Sequence, residues 1–302
     1  MVSWDTIEVE IELLRKNEHV PQELVSFFKD LTRHQLEFKK NLENKRLSIG
    51  ISSPEMAQKM KDGVHLLDFT HITLEGVPFE DLFRNICDTL EKYGPGDSDD
   101  IQRLRKTVND TSFDIREFVR KAAERDVHYF ELLSREFEVD GEHLQYLGIQ
   151  TVKPFFELLA SKVMNTVKDA KWVEPFCPVC GHEPIMAALE KEEGRRIFQC
   201  SLCSTEWAFR RLQCPYCLND DHETLRFFFV DEGSPYRVDV CDACKRYIKT
   251  VDERKMEEGK EVILAVENLA TIFLDILAAQ EGFRNPGQYL FGIEEEPLAR
   301  NG

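Results

Sequence analysis

Basic residues are scarce in this sequence of 302 residues. It has 39 Lys and Arg against 56 Asp and Glu, which gives a formal net charge of −17 at pH 7. A surface this acidic repels nucleic-acid phosphates and anionic lipid headgroups. Even the cysteine-rich region from 173 to 254 has 11 basic and 15 acidic side chains, whereas ribbons that bind nucleic acid usually carry a basic face. The composition therefore disfavours a nucleic-acid partner.

Long apolar runs are also missing. A membrane-spanning helix needs about 20 mostly apolar residues, and the most apolar long stretch, Val262 to Ala279, is interrupted by Glu267 and Asp275. The first ten residues are acidic and lack the basic start and apolar core of a secretory signal. We therefore expect no membrane span and a cytoplasmic location.

Familiar catalytic motifs are absent as well. The sequence contains no glycine-rich phosphate loop, no nucleophile elbow and no His-Glu-x-x-His, and its eight histidines are scattered. We therefore expect that the protein is not an enzyme.

Cysteine, by contrast, is plentiful. Eight of the nine cysteines form four Cys-x-x-Cys pairs between residues 177 and 244. Disulfides rarely persist in the cytoplasm, so clustered cysteines there favour metal binding. The alternatives are thiol redox pairs and cysteines that are merely buried. Two such pairs supply four thiolates in a tetrahedron about 2.3 Å from zinc, and iron accepts the same ligands. Four thiolates leave no open coordination position, so such a site is structural or transfers electrons.

The segments between the pairs predict which of them share a metal. A predicted β-hairpin separates the first pair from the second, and another separates the third from the fourth. Because a hairpin brings its own ends together, we predict two metal ions per chain, Fe or Zn, held by sequential pairs. The predicted ligands are Cys177, Cys180, Cys200 and Cys203 in site one, and Cys214, Cys217, Cys241 and Cys244 in site two. Interleaved pairs are the alternative, and they would have to cross the segment 204–213.

Two further side chains are weighed as ligands and set aside. His182 follows the first cysteine pair, but four thiolates lie near it, so we expect a surface position or a position around the ligands. Cys87 stands alone beside Ile86 and Leu90, which is typical of a small core residue.

The pattern of apolar residues predicts an α+β fold. Apolar side chains recur at helical spacing through the first part of the chain, and short strands flank the cysteine pairs. We predict a mostly helical N-terminal domain, two zinc-ribbon modules with β-hairpins, and a closing helix from about Met256 to Ala279. The predicted boundaries are 1–171 for the helical domain, 172–211 for the first four-cysteine ribbon, 212–254 for the second four-cysteine ribbon, and 255–302 for the C-terminal helix and tail.

The cysteine motifs resemble the core signature of the formate dehydrogenase accessory protein FdhE family. The resemblance rests on Cys177-Pro-Val-Cys-Gly-His-Glu-Pro and Cys200-Ser-Leu-Cys-Ser-Thr-Glu-Trp, followed by Arg210, Arg211, Cys214 and Cys217. Leu269-Ala-Thr and Leu274-Asp are similar to the family's C-terminal stretch. The resemblance implies iron-binding, rubredoxin-like ribbons. It also implies an accessory or assembly chaperone that binds the catalytic subunit of formate dehydrogenase in the cytoplasm.

A polar stripe on the closing helix is the expected partner surface. Glu267, Thr271 and Asp275 fall on one side of an otherwise apolar helix. We expect this stripe to line a groove that receives a basic or extended segment of the formate dehydrogenase subunit, with a solvated stripe as the alternative. Two other functions stay open, a rubredoxin-like electron-transfer protein and a zinc-ribbon nucleic-acid adaptor, the second disfavoured by acidity. The choice between monomer and homodimer also stays open.

Overall fold

The fold is described from a computed structural model that covers residues 4–43, 45, 47, 49–93, 98–108, 113–168, 171–231 and 233–286. The last part of the predicted tail, 287–302, lies outside the described residues. The chain combines a helical N-terminal region with a six-stranded sheet, so the α+β prediction is confirmed. Within the described residues, none of the helices combines the length and apolarity that crossing a bilayer requires.

Eight α-helices form the N-terminal region in the part of the chain that the structure describes. They are α1 (Trp4–Leu13), α2 (Gln22–Glu43), α3 (Ser53–Lys61), α4 (Phe79–Tyr93), α5 (Ser98–Thr107), α6 (Ile115–Glu124), α7 (Val127–Phe137) and α8 (Gly141–Lys168). The long helix α8 packs against α2, α4, α6 and α7. The apolar stripe of α2 is interrupted by Gln35, which is buried and donates a hydrogen bond of 2.9 Å to the carbonyl oxygen of Gln150 on α8. This bond satisfies the buried amide, so α2 continues through it.

Six strands of the described residues form one continuous sheet. They are β1 (Pro184–Leu189), β2 (Arg196–Cys200), β3 (Glu206–Phe209), β4 (Leu225–Phe228), β5 (Tyr236–Cys241) and β6 (Arg246–Asp252). Their order is β3-β2-β1-β6-β5-β4, and every neighbouring pair is antiparallel except β1 with β6. The two ribbons are therefore joined through the parallel pair β1 and β6. The sequence reasoning did not identify β6, although Tyr, Ile, Thr and Val in this strand favour β structure.

The closing helix differs from the prediction. It begins at Leu264 rather than near Met256, and it is divided into α9 (Leu264–Ala270) and α10 (Ile272–Gln280). At the break, the Thr271 hydroxyl donates a hydrogen bond of 2.8 Å to the carbonyl oxygen of Glu267. Lys249 Nζ donates to the carbonyl oxygen of Asn268 at 2.6 Å. These polar side chains bind carbonyl groups near the break, which favours two short helices over one long one.

Candidate metal centres

Site one is assembled at one end of the β1–β2 hairpin. Its first cysteine pair precedes β1 and its second pair begins where β2 ends, and Pro184 pairs with Cys200 in the hairpin. The Sγ atoms of Cys177 and Cys203 are 3.4 Å apart, and Cys180 Sγ lies 3.4 Å from Cys200 Sγ and 3.5 Å from Cys203 Sγ. The structure thus brings the first and second cysteine pairs together.

Site two repeats this arrangement around the β4–β5 hairpin. Leu225 at the start of β4 pairs with Cys241 at the end of β5. The Sγ atoms of Cys214 and Cys244 are 3.7 Å apart, and those of Cys217 and Cys241 are also 3.7 Å apart. The third and fourth cysteine pairs therefore share a site, and the grouping along the chain is sequential rather than interleaved.

The sulfur positions fit a tetrahedral metal ion. In each site, the four Sγ atoms lie within 4.8 Å of one another. A tetrahedron with metal–sulfur bonds of about 2.3 Å has edges of about 3.8 Å, so the spacing in site two matches and that in site one is slightly shorter. Both groups of four cysteines could therefore hold a metal ion, and zinc and iron both accept this ligand set.

Each Cys-x-x-Cys turn closes in the same way. The residue after its second cysteine has a positive φ: 76° at Gly181, 56° at Ser204, 61° at Leu218 and 55° at Lys245. Only the first turn uses glycine, which adopts this conformation without steric cost. A Cβ atom at Gly181 would also lie 2.8 Å from His65 Nδ1. The other three turns accept a conformation that side chains disfavour by about 1–2 kcal/mol.

Backbone amides point at several of the sulfur atoms. The amides of Leu202 and Cys203 donate to Cys200 Sγ at 3.4 Å, and the amide of Val179 donates to Cys177 Sγ at 3.4 Å. In site two, the amide of Tyr216 donates to Cys214 Sγ at 3.4 Å. Such hydrogen bonds stabilise sulfur in its charged form, which is the form that binds a metal.

The electrostatics of site one without a cation favour a partly protonated cluster. Burial raises the pKa of the Cys177 and Cys180 thiols well above the ordinary value. Burial also acts on Cys200, but hydrogen bonds from the other three thiols outweigh it and lower the pKa of Cys200. Binding a divalent ion to four thiolates must therefore release protons, so metal affinity rises with pH.

Site two has the same asymmetry. Burial raises the pKa of Cys214 to about 11. For Cys241, backbone hydrogen bonds from Cys244 and Ala243 outweigh the effect of burial and lower the pKa of the thiol. The Asn219 side-chain amide also donates to Cys241 Sγ at 3.6 Å.

The helical domain contacts the first cysteine pair of site one. The amides of Leu66 and Leu67 donate to the carbonyl oxygens of Pro178 and Val179 at 3.0 and 2.7 Å. His182 is buried and its Nε2 donates to the carbonyl oxygen of Ala123 at 2.8 Å. Burial and the nearby Arg125 lower the pKa of His182 to about 4. The structure thus places His182 in the interface with α6, not on the surface.

The helical domain also contacts the second cysteine pair of site one, through charged side chains that the sequence reasoning missed. Lys153 Nζ on α8 lies 3.4 Å from the carbonyl oxygens of Ser201 and Leu202 and 3.0 Å from Ser204 Oγ. Ser204 in turn donates to Glu157 at 2.7 Å. Glu157 is partly buried, which by itself would raise its pKa, but Lys153, Lys39 and the Ser204 hydroxyl outweigh this effect and lower the pKa. No local sequence signal marks these residues, because the contact joins segments about 50 residues apart.

The expected partner surface on the closing helices is buried. The exposed fraction is 2% for Glu267 and 0% for both Thr271 and Asp275. Asp275 Oδ2 lies 2.7 Å from Lys249 Nζ on β6, and Glu267 accepts a hydrogen bond of 2.5 Å from Tyr236 on β5. The polar stripe therefore faces the sheet instead of lining an open groove, and the cation that it receives belongs to the same chain.

Cys87 lies in the core of the helical domain with an exposed fraction of 0%. Burial raises the pKa of its thiol to about 12. It belongs to neither group of four cysteines.

Comparison with known proteins finds similarity that includes the first half of the cysteine-rich region. A protein-family sequence model described as "FdhE, central domain" matches residues 176–211. A protein FdhE homolog from Aquifex aeolicus is 31% identical over 148 residues, which cover 48% of this chain and 50% of that protein. A homolog from Actinobacillus pleuropneumoniae serotype 3 is 26% identical over 200 residues, which cover 64% of each chain. The matches thus span half to slightly under two thirds of these curated relatives.

A solved structure shares the fold. The crystal structure of the FdhE protein from Pseudomonas aeruginosa aligns with a TM-score of 0.61 at 18% identity, and it covers 100% of this chain and 98% of that one. The comparisons confirm the resemblance to the FdhE family that the cysteine motifs indicate.

Proposed function

We propose that the protein is an accessory factor for the formation of active formate dehydrogenase and that it is not itself an enzyme. The observation that carries this proposal is the match of the FdhE central domain to residues 176–211. This segment contains the whole of site one and the hairpin that assembles it. An accessory role needs a stable scaffold with binding surfaces, and the closed thiol sites suit such a scaffold because they leave no position for a catalytic water.

The proposed client is the catalytic subunit of a formate dehydrogenase, bound in the cytoplasm. Binding a folding client requires surface that this chain does not bury itself. Because Glu267, Thr271 and Asp275 are buried, the client surface must lie elsewhere than the stripe expected from the sequence.

We further propose that each group of four cysteines holds one metal ion, Fe or Zn. The ligands are Cys177, Cys180, Cys200 and Cys203 in site one, and Cys214, Cys217, Cys241 and Cys244 in site two. Zinc would contribute only to folding, whereas iron would also allow one-electron transfer. The chain's own contribution is to hold the sulfur atoms together and to direct backbone amides at them.

The test is restoration of formate dehydrogenase activity in a bacterial strain that lacks its own FdhE. The wild-type chain should restore activity and co-purify with the catalytic subunit. Cys200→Ser should fail, because site one loses a ligand. Cys87→Ala is the matched control: it also removes a buried thiol, but it should restore activity. Normal activity without the chain, or a wild-type chain that neither restores activity nor binds the subunit, would refute the proposal.

Electron transfer is a second candidate function, and one observation favours it. Cys217 is exposed and Cys244 is partly exposed, so a redox partner could approach site two closely. The test is a redox titration of iron-loaded protein. A reversible potential assigned to site two would support electron transfer, and zinc in both sites of protein from its native host would exclude it.

A further inference from the structure

A large cavity lies between the helical domain, the first ribbon and the closing helices. Its volume is about 1560 Å³. It is lined by α2 and α8, by Ser201, Cys203, Ser204 and Thr205 around site one, and by α9 and α10. Sites for small molecules usually have volumes of about 300–1,000 Å³. The cavity is therefore larger than a typical small metabolite needs.

The cavity is also long. Its lining follows α2 from Glu23 to Glu43, a distance of about 30 Å at the helical rise of 1.5 Å per residue. An extended polypeptide advances about 3.3 Å per residue, so about nine extended residues would match this length. We name this cavity the α2–α8 groove.

One end of the α2–α8 groove is apolar. Leu24 and Phe28 at the beginning of α2 face Ile263, Ile272 and Ile276 from the closing segment. All five side chains remain partly exposed, and Ile276 has an exposed fraction of 41%. A segment with apolar side chains would remove this surface from water, which is favourable in proportion to the area buried.

The other end of the groove concentrates positive charge on an otherwise acidic chain. Four lysines line this part of the groove: Lys39 and Lys40 near the end of α2, Lys168 at the end of α8, and Lys153 in the middle of α8. The acidic side chains beside them are Glu43 and Glu157. Lys39 and Lys153 share Glu157 as an ion-pair partner. Lys40 and Lys168 are exposed, and neither forms an ion pair with any residue that the structure describes. This end of the groove is therefore complementary to carboxylates.

We propose that the α2–α8 groove binds an extended segment of the client polypeptide in which apolar residues are followed by carboxylates. The identification of this segment as part of the client rests on the proposed function. The chemistry of the segment rests on the groove alone, which has an apolar end and a lysine end.

The test measures binding of a fluorescent nine-residue peptide, Leu-Ile-Phe-Leu-Gly-Ser-Glu-Glu-Asp, to the purified full chain. The reference peptide carries three lysines in place of the three acidic residues. The acidic peptide should bind more tightly, and Lys40→Glu with Lys168→Glu should weaken its binding by about tenfold or more. Ile276→Glu should weaken the binding of both peptides, because it places a charge in the apolar end.

Matched controls lie outside the groove. Lys191→Glu reverses a lysine and Leu132→Glu replaces an aliphatic side chain by glutamate, both at exposed positions. Both variants should leave peptide affinity unchanged. Metal content and melting temperature, measured for every variant, identify any chain that fails to fold.

Three results of the binding measurements would overturn the proposal. The first is equal affinity for the acidic and lysine peptides. The second is an affinity for the acidic peptide that the lysine reversals leave unchanged. The third is a dimer that dissociates in Ile276→Glu, which would assign the groove to a second copy of this chain.

If the lysine-reversed chain lost peptide binding but still restored formate dehydrogenase activity, the accessory function would stand and the groove would not be its client site. If wild-type chain bound the peptide but restored no activity, the accessory function alone would fail.

Discussion

Site one and site two share an order of cysteine pair, hairpin, cysteine pair and strand, but their surroundings differ. In site one, the exposed fractions of Cys177, Cys180, Cys200 and Cys203 are 0, 8, 0 and 3%. In site two, Cys217 is exposed and Cys244 is partly exposed. Four cysteine ligands are therefore enclosed in the interior at site one, whereas the four cysteine ligands of site two lie at a position open to solvent.

The difference comes from the helical domain. Loop residues 66 and 67 hydrogen-bond the first cysteine pair of site one, and Lys153 on α8 binds the second. Site two instead lies near the outer end of the sheet, where β4 pairs only with β5 among the described strands. We infer that site one is a structural joint between two parts of the molecule, whereas site two can exchange metal or electrons with its surroundings.

Removing one ligand from each site, in two separate variants, should show the difference between the sites most strongly. Structural zinc sites bind with apparent energies of about 10–16 kcal/mol, and much of this energy serves folding. Cys200→Ser should therefore lose one metal and also loosen the helical domain, since both cysteine pairs of site one contact it. Cys217→Ser should lose one metal and leave the helical domain intact.

Elemental analysis and hydrogen exchange of amides in α8 would measure these two effects. Cys87→Ala is the control for a lost thiol outside both sites. Equal loss of protection of α8 in both variants would show that the two sites do not differ as we infer.

The buried ion pair between Lys249 and Asp275 should be the next largest determinant of stability. Lys249→Met leaves the Asp275 carboxylate buried without its cation, which costs about 3–5 kcal/mol in comparable cases. Because β6 joins the two ribbons, we expect metal release from both sites to accelerate in similar proportion. Urea unfolding and chelator assays would measure this.

A double variant supplies the control for this pair. Lys249→Met with Asp275→Leu removes both charges and should regain most of the lost stability. Lys249→Met alone could instead lower the free energy of unfolding by less than about 1 kcal/mol, which is the range of an exposed ion pair. That result would contradict the prediction.

Lys153→Met should distinguish the two sites directly. This change removes hydrogen bonds to the second cysteine pair of site one, each worth about 0.5–1.5 kcal/mol in net stability. Metal release from site one should accelerate, and release from site two should not. Lys245→Met is the matched control, since Lys245 forms an exposed ion pair with Asp242 next to site two. Faster release from site two in Lys153→Met would argue against a specific link to site one.

The smallest expected effect is a gain in stability at site two. Leu218 has a φ of 61° and is half exposed, so Leu218→Gly relieves backbone strain without opening a core cavity. We expect a gain of up to about 1 kcal/mol, offset in part by the greater freedom of glycine in the unfolded chain. Leu212→Gly is the control: Leu212 is also exposed but lacks a positive φ, so its replacement should not stabilise. Thermal unfolding of metal-loaded protein would measure both, and a lower melting temperature for Leu218→Gly would contradict the prediction.

The sequence predicted the parts of the fold that depend on local spacing. Four Cys-x-x-Cys pairs and two intervening hairpins predict both groups of four cysteines, because each hairpin closes over about 20 residues. The parallel pairing of Met186 with Lys249 joins residues 63 positions apart, and no local pattern signals it.

The prediction of a partner surface on the closing helix failed for a related reason. A polar stripe on an apolar helix has the same sequence pattern whether it faces water or a buried lysine. The lysine here is Lys249, and it lies on β6, the strand that the sequence reasoning did not identify. The α2–α8 groove was likewise hidden, because its lysine end combines the ends of two helices more than 100 residues apart in sequence.

Metal release from the two sites tests the central inference most directly. Protein loaded with two zinc ions is mixed with an excess of a chromogenic chelator, and the release of each ion is followed with time. We predict two phases whose rates differ by about tenfold or more, a difference of about 1.4 kcal/mol between the barriers. The fast phase should disappear in Cys217→Ser and the slow phase in Cys200→Ser. A single phase for both ions, or a fast phase that belongs to site one, would contradict the account.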